Sequence, residues 1–228
     1  MRYQYPLRVL NEHIFVEIAD ALWLIDTGSP SSFGGTIQFG ATTHTLPQTM
    51  MGGLLGGLLS AEYLTKETGI QCSGLLGNDI MGGYNLRFDF LNGTLELHDI
   101  DEGFFSDQHC QFTTVMGVPL IRCQVNGVPA RLLVDTGATI SYWQHANLKQ
   151  CTSVGSKQDF YPMFGSFTTV IYAVTIDCCH WSQTLKVGSL PGLLGAAITL
   201  VADGILGNES MIDRVFLYGF ALSRCEWQ

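Results

Sequence analysis

Short apolar runs broken by two-residue turns dominate the chain, and they predict strands rather than long helices. Ile14-Phe15-Val16-Glu17-Ile18 stops at Ala19-Asp20, and the chain returns as Leu22 to Ile25. Leu120 to Val125 stops at Asn126-Gly127 and returns as Ala130 to Val134. Asn-Gly between apolar runs is a strong hairpin signal, because both residues tolerate the positive φ of a tight turn. Leu86 to Phe90 and Thr94 to His98 repeat the pattern around Asn92-Gly93. Helical spacing is sparser. It predicts a helix with Leu58, Glu62, Leu64 and Thr65 that stops near Gly69, and apolar helical stretches after Leu46-Pro47 and Leu190-Pro191.

The first two hairpins end in the same tripeptide. Leu22 to Ile25 leads into Asp26-Thr27-Gly28-Ser29, and Leu132 to Val134 leads into Asp135-Thr136-Gly137-Ala138. Each has a later apolar-apolar-Gly-Asn-acid partner, Gly74-Leu75-Leu76-Gly77-Asn78-Asp79 and Gly204-Ile205-Leu206-Gly207-Asn208-Glu209. A polar tripeptide emerging from a buried strand sets a carboxylate at the mouth of a rigid β-scaffold. Two carboxylates about 3 Å apart cannot both ionise, so they share one proton near working pH. One can then take a proton from water while the other donates to a carbonyl oxygen. Gly28 and Gly137 allow the turn and close approach that a side chain would obstruct.

This pair of repeats resembles the retropepsin and pepsin superfamily of aspartic peptidases, over roughly residues 9–100 and 118–220. The resemblance implies an all-β fold with short helices, in which two pseudo-symmetric retropepsin-like lobes form a central cleft. Residues 1–100 would be the N-terminal lobe, 101–116 a linker and 117–228 the C-terminal lobe. It implies hydrolysis of peptide bonds by a water activated between Asp26 and Asp135. Thr27, Gly28, Ser29, Thr136, Gly137 and Ala138 would support that dyad, with Thr27 and Thr136 hydrogen-bonded across the lobe interface. Because one chain supplies both aspartates, a monomer suffices. No cofactor and no metal are implied, and the partner is a peptide or protein substrate.

The halves are unequal. Asp26 to Leu46 spans 20 residues, whereas Asp135 to Leu190 spans 55. The surplus contains aromatic and β-branched residues around Gly165-Ser166, a composition suited to a projecting hairpin. By resemblance this is a single flap over the substrate, contributed by the second half, with Tyr161, Met163, Phe164, Gly165, Ser166 and Phe167 as substrate-binding candidates. A competing segment, Met50-Met51-Gly52-Gly53-Leu54-Leu55-Gly56-Gly57, looks like the glycine-rich flap tip of retroviral proteases, but the helix-like sequence after it suits a flap's return strand poorly. Ser29 has a hydroxyl where Ala138 has none, so Asp26 is expected to receive an extra donor and to ionise more readily than Asp135.

Composition narrows the function classes. Eleven basic against 20 acidic residues argue against nucleic acid and against an anionic membrane surface. The longest apolar stretch, Met50 to Leu59, is too short to span a bilayer. Seven cysteines without regular spacing, and a beginning that lacks an apolar secretory core, favour free thiols in a reducing, cytoplasmic setting. Cys178-Cys179-His180 is read as packing thiols in a strand, not a metal site. With 25 residues before Asp26, twelve of them needed for the hairpin, no activation by cleavage is expected. His13 and His44 are read as surface residues, Asp79 and Glu209 as local caps, and Trp143 as a candidate subsite residue. Two rival readings stay open: a catalytically silent module that holds extended peptides in the same cleft by β-augmentation, and an interaction domain acting through its outer surface.

Overall fold

The computed structural model describes residues 2–51, 58–161 and 164–228. Two large sheets hold most of the strands. One orders nine strands as Cys110–Gln111, Arg224–Trp227, Val215–Gly219, Asn85–Asp89, Thr94–His98, Arg2–Leu10, His13–Ile18, Ala21–Ile25 and Gly74–Leu76. The other orders eight as Thr113–Val115, Val118–Val125, Val128–Val134, Gly204–Leu206, Ser141–Trp143, Trp181–Gly188, Gly165–Cys178 and Thr152–Tyr161. The chain's last two strands thus lie in the sheet that its first strands build. Val215–Gly219 pairs antiparallel with Asn85–Asp89, and the rings of Phe88 and Phe216 meet there at 5.9 Å.

Tight turns join the strands where the sequence predicts them. Asn126 and Gly127 take φ of 49° and 75°, and Ala19 and Asp20 take 49° and 62°. Both sets of positive φ suit hairpin turns whose twist matches that of the flanking strands. The N-terminal Arg2–Leu10, which the apolar pattern does not reveal, is also a strand, paired on both sides. Its exposed and half-buried residues alternate as side chains point to opposite faces, so it lacks the continuous apolar run of its neighbours.

Two elements fix the ends of the aspartate strands. Gly74–Leu76 runs parallel to Ala21–Ile25, and Gly204–Leu206 runs parallel to Val128–Val134. All six of their residues are buried, which is why both read as uninterrupted apolar runs. A side chain on Gly204 would sit 2.0 Å from the Tyr142 carbonyl oxygen, so the crossing there requires glycine.

The long hairpin expected in the second half is present, with Thr152–Tyr161 antiparallel to Gly165–Cys178 and Tyr161 opposite Gly165. It is not the only one. Thr49–Met51 pairs with Leu58–Ser60 in the first half, so the expectation of a single flap is corrected. Residues 52–57 lie outside the described residues, as does Met163. The helix begins later than its apolar periodicity suggests, at Ala61, and runs to Thr68. Ser60 caps its start through the Tyr63 N–H and Gly69 closes it at φ 70°. Leu58 to Ser60 therefore belong to the hairpin.

The cysteine reading is also corrected. Cys110 and Cys179 form a disulfide across 69 residues of sequence. Cys178 lies at the end of its strand and Cys179 in the following turn at φ 53°, so strand alternation does not separate them. This removes one of the two supports for a reducing compartment. Among the described residues, no helix is long and apolar enough to cross a membrane.

Candidate active site

The two Asp-Thr-Gly loops meet face to face. Thr27 Oγ1 donates to the Val134 carbonyl at 2.8 Å and accepts from the Thr136 N–H at 3.0 Å. Thr136 Oγ1 donates to the Ile25 carbonyl at 2.9 Å and accepts from the Thr27 N–H at 2.9 Å. Both threonines are fully buried. Each hydroxyl therefore satisfies one donor and one acceptor of the opposite strand end, and neither loop can shift without leaving buried groups unpaired. The close approach has a second signature. A side chain on Gly28 would meet the Asp135 carboxyl carbon at 2.4 Å, and one on Gly137 would meet that of Asp26 at 2.8 Å.

The Gly-Asn-acid segments support the loops from beneath. Asp26 and Asp135 each donate their backbone N–H at 3.0 Å, to the carbonyls of Leu76 and Leu206. Asn78 Nδ2 bridges the Thr27 carbonyl at 2.8 Å and the Gly117 carbonyl at 2.9 Å. Asn208 Nδ2 bridges the Thr136 carbonyl at 3.2 Å and the Glu12 carbonyl at 2.9 Å. Each asparagine thus ties its own loop to a turn from the other half. Six residues after each aspartate stands a serine that serves the same supports. Ser32 accepts from the Gly77 N–H at 2.8 Å and donates to Asp79, while Ser141 Oγ accepts from the Gly207 N–H at 3.1 Å and its N–H donates to Glu209. Asp79 and Glu209 act locally, as the sequence suggests. The roles of Ser32, Ser141 and the asparagines were missed, although the equal six-residue offset was legible.

The carboxyl groups of Asp26 and Asp135 share a hydrogen bond, and both pKa values are raised, first by burial. Asp135 Oδ1 accepts the N–H groups of Gly137 at 2.8 Å and Ala138 at 3.2 Å, which favour its charged form. The charge on Asp135 then pushes Asp26 well above the aspartate range, and the Gly28 and Ser29 amides offset this only in part. Asp26 Oδ1 is buried without a partner. These causes together make Asp26 the harder of the two to ionise. This reverses the expectation from Ser29, whose hydroxyl donates to the Ser31 carbonyl at 2.7 Å instead of to Asp26.

The dyad lies in a cleft of about 400 Å³. Met50, Met51 and Leu59 from the short hairpin line it, as do Phe160, Tyr161 and Phe167 from the long one. The Tyr161 hydroxyl is pushed up to about 12 by burial, then by the charges of Asp135 and Asp26. Of the other flap candidates, Ser166 lines an adjoining recess, Gly165 makes the turn at φ 89°, and Phe164 is exposed and packs edge-on against Phe167. Trp143 is fully buried and stacks on His145, so its neighbour Tyr142 lines the cleft in its place. His13 is corrected from a surface residue to a buried one lining the cleft, and burial lowers its pKa. Asp159 also lines the cleft, and its carboxylate accepts from Tyr142, from Thr139 at 3.4 Å and from the Phe160 N–H at 2.8 Å. Nothing in the local sequence distinguished either residue from surface polarity. Only the register of the long hairpin brings Asp159 beside the dyad.

No family model matches the chain, and no curated protein matches it in sequence. Among solved structures, the fold is similar to that of basic 7S globulin from soybean, a protein of pepsin-like fold. The TM-score is 0.55 at 10% identity, over 100% of this chain and 94% of that one. At that identity the likeness concerns the fold alone, a mostly β architecture of pepsin-like type with two large sheets.

Proposed function

We propose that the chain is an aspartic endopeptidase whose complete active site lies between two pseudo-symmetric lobes of a single chain. The observation that carries this reading is the face-to-face placement of Asp26 and Asp135, each against the other loop's glycine and held by reciprocal threonine bonds in a largely apolar cleft. In the working state Asp135, the ionised member, takes a proton from a water molecule. The nascent hydroxide attacks the scissile carbonyl carbon while Asp26 gives its proton to the carbonyl oxygen. The tetrahedral intermediate then expels the amine as the nitrogen receives the proton held by Asp135 and one hydroxyl returns its proton to Asp26, which restores the starting pair. Tyr161 and Phe167 from one side and Met50 and Leu59 from the other would cover an extended peptide and limit water access.

The test is cleavage of a denatured protein, with Asp26→Asn and Asp135→Asn as controls. Cleavage by the wild type that disappears in both variants supports the reading, and cleavage that survives in either refutes it. A second reading is a silent peptide-binding module that uses the same cleft and the two hairpins lining it. That reading requires peptide binding without turnover in the wild type.

A further inference from the structure

The cleft is unlike at its two ends. Beyond the Asp26 loop its wall is apolar, built from Pro30, Met50, Leu59, Val115 and Val118. Beyond the Asp135 loop, His13, Asp159 and Phe160 line both the cleft and an adjoining recess of about 260 Å³. Asn208 bonds to Glu12 just as Asn78 bonds to Gly117, so His13 and Val118 each follow a residue tied to the opposite loop. A histidine on one side thus occupies the position that valine holds on the other.

The recess has an excess of negative charge. Its described lining carries three carboxylates, Glu12, Glu67 and Asp159, against the single ammonium of Lys157. That ammonium is already held by Glu12 at 2.7 Å. The bonds Asp159 accepts come from two hydroxyls and one amide, so among the described residues no cation is hydrogen-bonded to it. Independently, the His13 side chain is 6% exposed and its Nδ1 is buried without a hydrogen-bond partner. An uncompensated carboxylate beside an unpartnered imidazole nitrogen favours a ligand that brings positive charge and N–H donors together.

We propose that the recess between His13 and Asp159 is a subsite for a basic substrate side chain, lysine or arginine, while the opposite end of the cleft takes apolar side chains. This rests on reading the cleft as a peptide-binding groove. The long apolar stem of such a side chain would pass Phe160, and its charged head would lie between the Asp159 carboxylate and the His13 ring. Because the two ends differ, a peptide would bind in one direction, with its basic residue on the Asp135 side.

The test uses the full chain and a peptide library randomised one position at a time. Wild-type cleavage should favour Lys or Arg over Leu by about ten-fold at one position relative to the scissile bond. Asp159→Asn should remove that preference. Because Asp159 also bonds Tyr142, a second variant avoids its contacts: Gln158→Lys, on the exposed rim of the recess, should weaken the same preference by adding a competing cation. No basic preference in the wild type, or one unchanged in both variants, overturns the subsite. If the wild type cleaves nothing, the peptidase reading fails and binding of the same peptides decides the subsite. Tighter binding of Lys peptides than Leu peptides, reduced by Gln158→Lys, upholds it, and equal or absent binding overturns it.

Discussion

The loops around Asp26 and Asp135 share their hydrogen bonds almost atom for atom but not their surroundings. Each receives a threonine from the other loop, a parallel apolar strand beneath, an asparagine bridge and a serine six residues on. Beyond that shell they diverge. Both carboxyls receive backbone amides, but Asp135 has Asp159 nearby, whereas Asp26 keeps its Oδ1 buried without a partner beside an apolar wall. Backbone-directed bonds set where the carboxylates stand. Burial and the groups around each carboxyl set how readily it ionises.

Removing either carboxylate should break the comparison most severely. Asp26→Asn and Asp135→Asn should each lower turnover by ~10²–10⁴-fold or more, measured on one substrate. The same variants carry a stability signature that does not depend on activity. Both aspartates have raised pKa values in the folded chain, so the stability they contribute is fully present below the ordinary aspartate range and is lost as pH rises through their folded values. Asparagine does not titrate. Each variant should therefore gain in Tm relative to wild type as pH rises from acid to neutral, and a gap that stays flat or narrows would show that the buried pair is not strained by its charge.

The threonine exchange comes next. Thr27→Val or Thr136→Val deprives two buried backbone groups of partners, a loss of roughly 2–4 kcal/mol by denaturant unfolding. The double variant should cost clearly less than the sum of the singles, because the two hydroxyls serve one shared network. Strict additivity would mean that the loops are held independently.

A finer contrast separates the asparagines. Asn78 makes three bonds, including one from Tyr218 at 2.7 Å, whereas Asn208 makes two and leaves its Oδ1 unpaired. Asn78→Ala should therefore destabilise more than Asn208→Ala, by about 1 kcal/mol. Equal losses would mean that the Tyr218 bond adds nothing.

The smallest effects concern the proton. The Asp159 charge raises the pKa of Asp135, so Asp159→Asn should move the acid limb of the activity profile to lower pH. Ser29→Ala should leave that limb where it is, because the hydroxyl bonds the Ser31 carbonyl. A shift in the serine variant instead would restore the donor that its side chain suggested.

What could be read in the chain was whatever local pattern encodes. Paired apolar runs, Asn126-Gly127 and the duplicated Asp-Thr-Gly with its Gly-Asn-acid partner gave the hairpins and both dyad positions, because turns and buried strands are specified within a few residues. The strand Arg2–Leu10 and the pairing of Val215–Gly219 with Asn85–Asp89 were not legible, since sheet order depends on which distant edge is open. The same limit hid the Cys110–Cys179 bond and the burial of His13, while the hairpin at Thr49–Met51 was legible only as a competing segment. The sequence by itself determined the two aspartates and the threonines and glycines that flank them. Tertiary structure alone decided that Ser29 turns away, that Asp159 stands beside Asp135 and that Asp26 is the harder of the two to ionise, because hydrogen-bond direction and charge distance exist only once remote segments are packed together.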